Sequence, residues 1–342
     1  MKNQAVKIEN FLLKNIEQHP KDIVAIATKH FDTTRTTIHR HLNKLLSAKK
    51  IIKSGIKNGA IYHLINAQNK NLSFDIPNLR GEYNIWIDYF DKTFSILPEN
   101  IYFIFEYSFT EMFNNALDHS GGHKIEASTK WSNNFIEVKL KDDGIGIFKK
   151  IQEAFKLNDI RESVLAISKG KVTTDPKNHT GEGIFFTSRG CDIFSLQSNG
   201  IFYVKNNLED DWFLEKKENK DTKGTTVTML MRNDSKRNLI DIFKKFQDPE
   251  SLAFDRTQIL VSLCKFEEEH FVSRSQAKRL MSGLEKFNQI TLDFQKIDIV
   301  GQGFADEVFR VFQKKHPDIK IKYINANENV EFMIKRSIAT QS

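Results

Sequence analysis

Between residues 99 and 120 apolar side chains come too thickly for a surface helix. Ile101, Ile104, Phe105, Phe109, Met112 and Phe113 follow Pro98 with few polar interruptions. A helix over this stretch is apolar on most sides, so it is expected to lie buried against a sheet. Downstream the period changes to two. Residues 124–131 and 134–140 alternate apolar and polar positions, as half-buried strands do, around a turn at Ser132-Asn133. Further strands are expected over 192–198, 200–205 and 224–230, with a short helix over 184–189 after Gly181-Glu182-Gly183.

Before this block the spacing is helical over 5–17, 22–31 and 34–48, and the last of these opens on Asp32-Thr33-Thr34, good N-cap residues. Its apolar side carries Ile38, Leu42, Leu45 and Leu46, and its other side Arg35, Thr36, Thr37, His39, Arg40 and Lys44. Residues 51–54 and 60–64, around a glycine turn at 55–59, read as a hairpin. Beyond residue 255 strands (258–264, 290–294, 319–324) alternate with helices (275–287, 304–314, 330–338), and Ser273 or Ser275 caps the first helix. That alternation indicates a layered α/β sheet. Polar stretches at 66–73 and 232–237 read as linkers, so domains are expected at 1–70, 75–235 and 252–338.

The 342 residues suffice for two or three cores, and 28 Phe suggest aromatic-rich ones. No apolar run approaches the ~18 residues that cross a bilayer, and the N-terminus lacks a signal-peptide pattern. Two cysteines, Cys191 and Cys264, make no disulfide framework. A cytoplasmic protein with no membrane association is the expectation. Charge is more informative. Residues 1–70 hold 13 Lys/Arg against 4 Asp/Glu, and the rest of the chain sums to about −2. A basic excess confined to one end is the electrostatic footprint of nucleic-acid binding, although a solvated face has the same composition.

Three pieces of the central block carry candidate chemistry. Glu111 and Asn115 stand at i and i+4, on one helix face, with Asp118 and His119 close by. Asn offers a neutral oxygen to a hard cation such as Mg²⁺, and Glu can orient or deprotonate a water. A polar pair bonding a neighbouring loop has the same spacing. Asp142-Asp143-Gly144-Ile145-Gly146 places a carboxylate at a strand end beside glycines that allow close approach, which suits the exocyclic amine of a purine. A simple turn or a calcium loop reads alike. Gly181 and Gly183 open a helix whose backbone amides favour phosphate.

The first 65 residues, through Thr34-Arg35-Thr36-Thr37-Ile38-His39-Arg40-His41-Leu42, resemble a winged helix-turn-helix of the bacterial transcription-factor type. The resemblance implies DNA as partner, with Thr34, Arg35, Thr36, Thr37, His39, Arg40 and Lys44 on the recognition helix and Lys53 and Lys57 on the wing. A winged helix used only for dimerisation or protein contact is the alternative.

Residues 80–232 resemble the GHKL ATPase superfamily of gyrase, heat-shock chaperones, MutL and histidine kinases. The resemblance implies an α/β sandwich with helices on one face of a mixed, mostly antiparallel sheet, and ATP with Mg²⁺ as cofactors. Glu111 then stands for the catalytic Glu and Asn115 for the Mg²⁺ ligand. Asp142, Gly144 and Gly146 stand for the adenine box, Gly181 and Gly183 for the phosphate glycines, and Thr225 for the adenine-contacting threonine. Residues 160–180 would be the lid, with Lys169 and Lys171 as phosphate contacts and Asp118 and His119 as pocket residues. The phosphoacceptor hairpin of histidine kinases has no room in 66–98.

Residues 252–338, through the segments 272–280 and 300–308, resemble a STAS-like domain of unknown function, which implies a protein partner. Its loop 299–304 lacks the hydroxyl that STAS antagonists phosphorylate. The whole reads as an α/β multidomain ATPase that controls DNA or partner binding, with a homodimer as one form. A protein kinase of the anti-sigma type, or a nucleotide-gated scaffold without turnover, is the alternative.

Overall fold

The computed structural model describes the chain apart from residues 1, 49, 56–58, 66–68, 80, 133, 176–179, 217–222, 266–272 and 340–342. Two compact units emerge: residues 1–146 with 187–239, and residues 147–186 with 240–342. The segment 147–186, which the sequence places in the central block, thus groups with the C-terminal residues.

The first unit begins with helices α1 (Lys2–Asn15), α2 (Ile23–His30) and α3 (Arg35–Ser47), packed through Ile8, Leu12, Ile23, Ile38 and Leu42. Thr34 caps α3, its hydroxyl accepting from Thr37 N at 3.2 Å. Glu9 of α1 accepts from Lys44 Nζ at 2.8 Å and pairs with His41 Nδ1 at 3.2 Å. The bond from Lys44, more than the contact with His41, holds the Glu9 carboxyl below its ordinary range. Strands β1 (Ile51–Ser54) and β2 (Ile61–Leu64) form an antiparallel ladder.

A seven-stranded sheet follows, in the order β3-β4-β5-β9-β6-β7-β8. Its strands are β3 (Lys70–Asp75), β4 (Lys124–Trp131), β5 (Phe135–Asp142), β6 (Ile193–Ser198), β7 (Ile201–Asn206), β8 (Asp211–Lys216) and β9 (Thr225–Arg232). Every described pair in it is antiparallel; among the described residues, parallel pairing is found in the smaller sheet described below. Two of these strands, β3 and β8, were not expected. β3 falls in the stretch read as a linker, yet it pairs with β4 from Lys70↔Thr129 to Asp75↔Lys124. With only Leu72 and Phe74 alternating among polar residues, its period-two signal is too short to stand out. The stretch 232–237 is no free linker either, since Asn100 Nδ2 donates to Ser235 O at 3.0 Å and Arg237 O at 2.8 Å.

Helix α4 runs through Glu82–Ile85, a π-helical stretch Trp86–Asp91, and Lys92–Phe94. Helix α5 (Glu99–His119) packs on β4, β5 and β9. Trp86, Phe90, Phe94, Phe105, Phe109 and Phe113 are all fully buried, so part of the aromatic richness fills this unit's core, and Phe148, Phe185, Phe186, Phe287 and Phe294 are as deeply buried in the second unit.

In the second unit, α6 (Ile147–Phe155) comes first, and α7 (Glu162–Lys169) occupies part of the stretch 160–180 expected to be the lid. Helix α8 (Gly183–Gly190) begins here, and α9 (Leu239–Phe246) lies after the larger sheet in sequence. Strands β10 (Arg256–Leu260), β11 (Gln289–Asp293) and β12 (Lys320–Ile324) form a parallel sheet in that order. Parallel neighbours need crossovers, and these are α10 (Arg274–Met281) and α11, which runs through Gln302–Ala305, a π-helical stretch Asp306–Phe312, and Gln313–Lys315. Helix α12 (Glu328–Ala339) follows β12. Ser273 caps α10 in a capping box with Gln276. The helix expected over 275–287 stops at Met281, because Gly283 turns left-handed (φ 81°) into a 3-10 turn. Among the described residues no helix is long and apolar enough to cross a membrane.

Candidate functional site

Three neighbouring strands of the larger sheet bury apolar rows that end in polar residues. β5 buries Ile136, Val138 and Leu140 and then Asp142; β9 buries Met231, Met229 and Val227 and then Thr225; β6 buries Phe194 and Leu196 and then Ser198. The register aligns them: Leu140 faces Val227, Val227 faces Leu196, and Thr225 faces Ser198. Residues opposite one another in antiparallel strands share a face. The core therefore ends, on one edge, in a carboxylate and two hydroxyls.

Asp142 is only 6% exposed. Its Oδ1 accepts from Gly144 N at 2.9 Å and Thr225 N at 3.2 Å. Burial raises its pKa above the ordinary carboxylate value, and the donors from Gly144 and Thr225 work in the opposite direction. Such a carboxylate is suited to an amine donor brought by a ligand.

The glycine loop after Asp142 is pressed against the end of α5. A Cβ on Gly144 would lie 2.1 Å from Ser120 O, and Ile145 N donates to that carbonyl at 3.0 Å. Asp143 Oδ1 accepts from His123 N and Lys124 N at 2.8 and 3.0 Å; these backbone donors, Lys124 foremost, lower its pKa. Gly224 must come equally close, since its Cβ would sit 2.0 Å from Asp142 O. On α5 itself Glu111, Asn115 and His119 are half-buried and Asp118 is exposed. So the structure joins the end of that helix to the Asp142–Gly146 loop and to the start of β9. Sequence reasoning missed Ser198 and Asn199, whose one legible signal was the turn pair Asn199-Gly200.

The remaining predicted nucleotide residues belong to the second unit. Lys169 Nζ donates to Arg279 O at 2.9 Å and Ser282 O at 2.8 Å, while Thr257 Oγ1 donates to Lys169 O at 2.7 Å. Burial lowers the Lys169 pKa to about 8. Lys171 Nζ donates to Lys286 O at 2.9 Å and stands 4.8 Å from the centre of the Phe287 ring. Both amines are thus occupied by the C-terminal residues, which their positions in sequence did not reveal. Gly181 (φ 72°) packs on Val172, where a Cβ would meet backbone at 2.6 Å. Gly183 is the first residue of α8. Residues 176–179 of the expected lid lie outside the described residues.

Helix α3 turns Arg35, Thr36, His39, Arg40 and Lys44 outward, with Thr34 exposed and Thr37 half-buried. Lys44 is engaged by Glu9. Lys53 on β1 is exposed, and Lys57 lies outside the described residues.

Part of the second unit matches a known family. The family model of a STAS-like domain of unknown function (DUF4325) matches residues 276–331. The match takes in most of α10, then β11, α11, β12 and the start of α12, which is two of the three strands of the small sheet with the crossover between them. No curated protein matches the sequence. Within the matched stretch Gly301, rather than a hydroxyl residue, is the N-cap of α11. Asp306 of that helix accepts from Gln302 Nε2 and Ser337 Oγ, each at 3.0 Å. The acidic residue is thereby committed to fastening α12.

Proposed function

We propose that the chain is a Mg-ATP-dependent regulator. A GHKL-type domain would bind and hydrolyse ATP, and nucleotide state would control DNA binding by a winged helix and partner binding by the STAS-like domain. The observation that carries this reading is the buried Asp142 carboxylate, held by Gly144 and Thr225 at the polar end of three aligned strands.

The residues present fit the implied groups. Asp142 supplies a desolvated acceptor for an exocyclic amine, and the Gly144 and Gly224 backbones come close only because neither carries a side chain. Among the described residues no three His, Cys, Asp or Glu side chains cluster as a metal cage. Mg²⁺ commonly takes one or two protein oxygens together with phosphates and water. Asn115 would supply the protein oxygen, and Mg²⁺ would neutralise phosphate charge. Glu111, one turn away on the same face, would orient water and take its proton. Gly183 opens α8 within the second unit, and backbone amides at a helix start favour phosphate in their own right. Exposed Arg35 and Arg40 on α3 would meet bases or phosphates.

Phosphate release by the purified protein tests this reading, with Glu111→Ala beside wild type and with or without DNA. Turnover that the mutant loses supports it, and turnover that the mutant keeps contradicts the assignment of Glu111.

A further inference from the structure

The loop carrying Asp142 is held from its far side by two residues that none of the expected motifs includes. Asn199 sits at the tip of the β6–β7 turn in the left-handed region (φ 49°). Its Nδ2 donates to Ile145 O at 3.0 Å, inside the glycine loop. The Ser198 hydroxyl lies 2.8 Å from Asn199 Oδ1 and 2.8 Å from Gly224 O. One hydroxyl proton is shared between these two acceptors. Gly146 (φ 88°) is the counterpart: its Cβ would lie 2.2 Å from Asn199 Oδ1 and 2.4 Å from Ser198 Oγ. A side chain is excluded there so that the pair can close over the loop.

Ser198 and Asn199 therefore tie together the two segments that flank Asp142. Asn199 fixes the 144–146 loop, whose Gly144 amide bonds Asp142 Oδ1. Ser198 fixes Gly224, next to the Thr225 amide that bonds the same oxygen. Ser198 is fully buried and faces Thr225 in the register. Both segments whose donors aim the carboxylate are thus contacted by one serine–asparagine pair, on the opposite side from the Ser120 carbonyl that accepts from Ile145 N.

We propose that Ser198 and Asn199 are positioning residues that set the purine selectivity of this site. The inference rests on the nucleotide reading above. A carboxylate accepts from the 6-amino group of adenine and repels the 6-oxo group of guanine, so selectivity depends on where Asp142 points. With the clip gone the loop can relax, and the carboxylate can turn towards other donors.

The test is the ratio of GTP to ATP dissociation constants, measured with Mg²⁺ on the full chain, alongside thermal unfolding. Asn199→Gly is the sharpest variant, because glycine accepts the left-handed backbone and removes only the side chain. Ser198→Ala is the second, and it leaves Asn199 in place. Wild type should prefer ATP, and each variant should lower that preference by about tenfold, the effect of removing one positioning hydrogen bond. Asn199→Asp should not rescue, since its carboxylate would face the Ile145 carbonyl, acceptor to acceptor.

Equal loss of ATP and GTP affinity, with the ratio intact, would mark a merely structural role and overturn the proposal. So would wild-type ratios in both Asn199→Gly and Ser198→Ala. Absence of any ATP binding by wild type would instead overturn the nucleotide reading and take this inference with it.

Discussion

The amide of Thr225 donates to Asp142 Oδ1 at 3.2 Å, joining the first residue of β9 to the last residue of β5. This bond holds a carboxylate whose burial favours its protonated form. An amine ligand favours the ionised form. On the proposed nucleotide reading, ATP binding should weaken as pH falls through the raised pKa of Asp142, which lies above the ordinary carboxylate value. Titrating ATP affinity against pH checks it, and Asp142→Asn should remove that part of the dependence along with most of the affinity.

Glu111 and Asn115 share a helix face but are assigned different steps. Glu111→Ala should cut turnover by about 100-fold or more while ATP still binds, as expected for loss of a general base. Asn115→Ala should abolish the Mg²⁺ dependence of ATP binding. Calorimetry with and without Mg²⁺ separates the two.

Lys169 gives a stability prediction independent of any ligand. Its pKa falls from 10.5 to about 8 on burial, so between these values the unfolded chain binds a proton that the folded chain does not. Stability of the second unit should then rise with pH across that window. Lys169→Met should flatten the rise, and at neutral pH it leaves the carbonyls of Arg279 and Ser282 without their donor, at about 1–3 kcal/mol. Denaturant unfolding at several pH values measures both effects.

On α3 the outward Arg35 and Arg40 carry the proposed DNA contact. Replacing both with Ala should weaken DNA binding and lower the salt slope by about one for each phosphate that is no longer neutralised. Ile38, Leu42 and Leu45, on the opposite face, are buried, so the fold of the helical bundle should be unaffected. Affinity measured at several salt concentrations, with circular dichroism as control, decides it.

Elements with a long, clean period were legible in the sequence. α5, β4 and the α3 cap at Thr34 appear within a residue of expectation. Shorter signals were lost: β3 has two apolar residues, and α7 sits in the stretch 160–180 expected to be a lid. The site was legible in part. Asp142 and its glycines form a contiguous motif, but Ser198 and Asn199 reach the loop only through strand register, which no local pattern encodes. The partners of Lys169 and Lys171 lie more than a hundred residues away. Neither amine could be assigned to them from sequence.

The Asp142 edge of the larger sheet is proposed to bind an adenine nucleotide. The direct measurement is equilibrium binding of ATP with Mg²⁺ to the full chain, wild type beside Asp142→Asn. Saturable binding by wild type, with affinity reduced about tenfold or more in the mutant, is the expected result. No binding by wild type, or equal binding by both proteins, would contradict it.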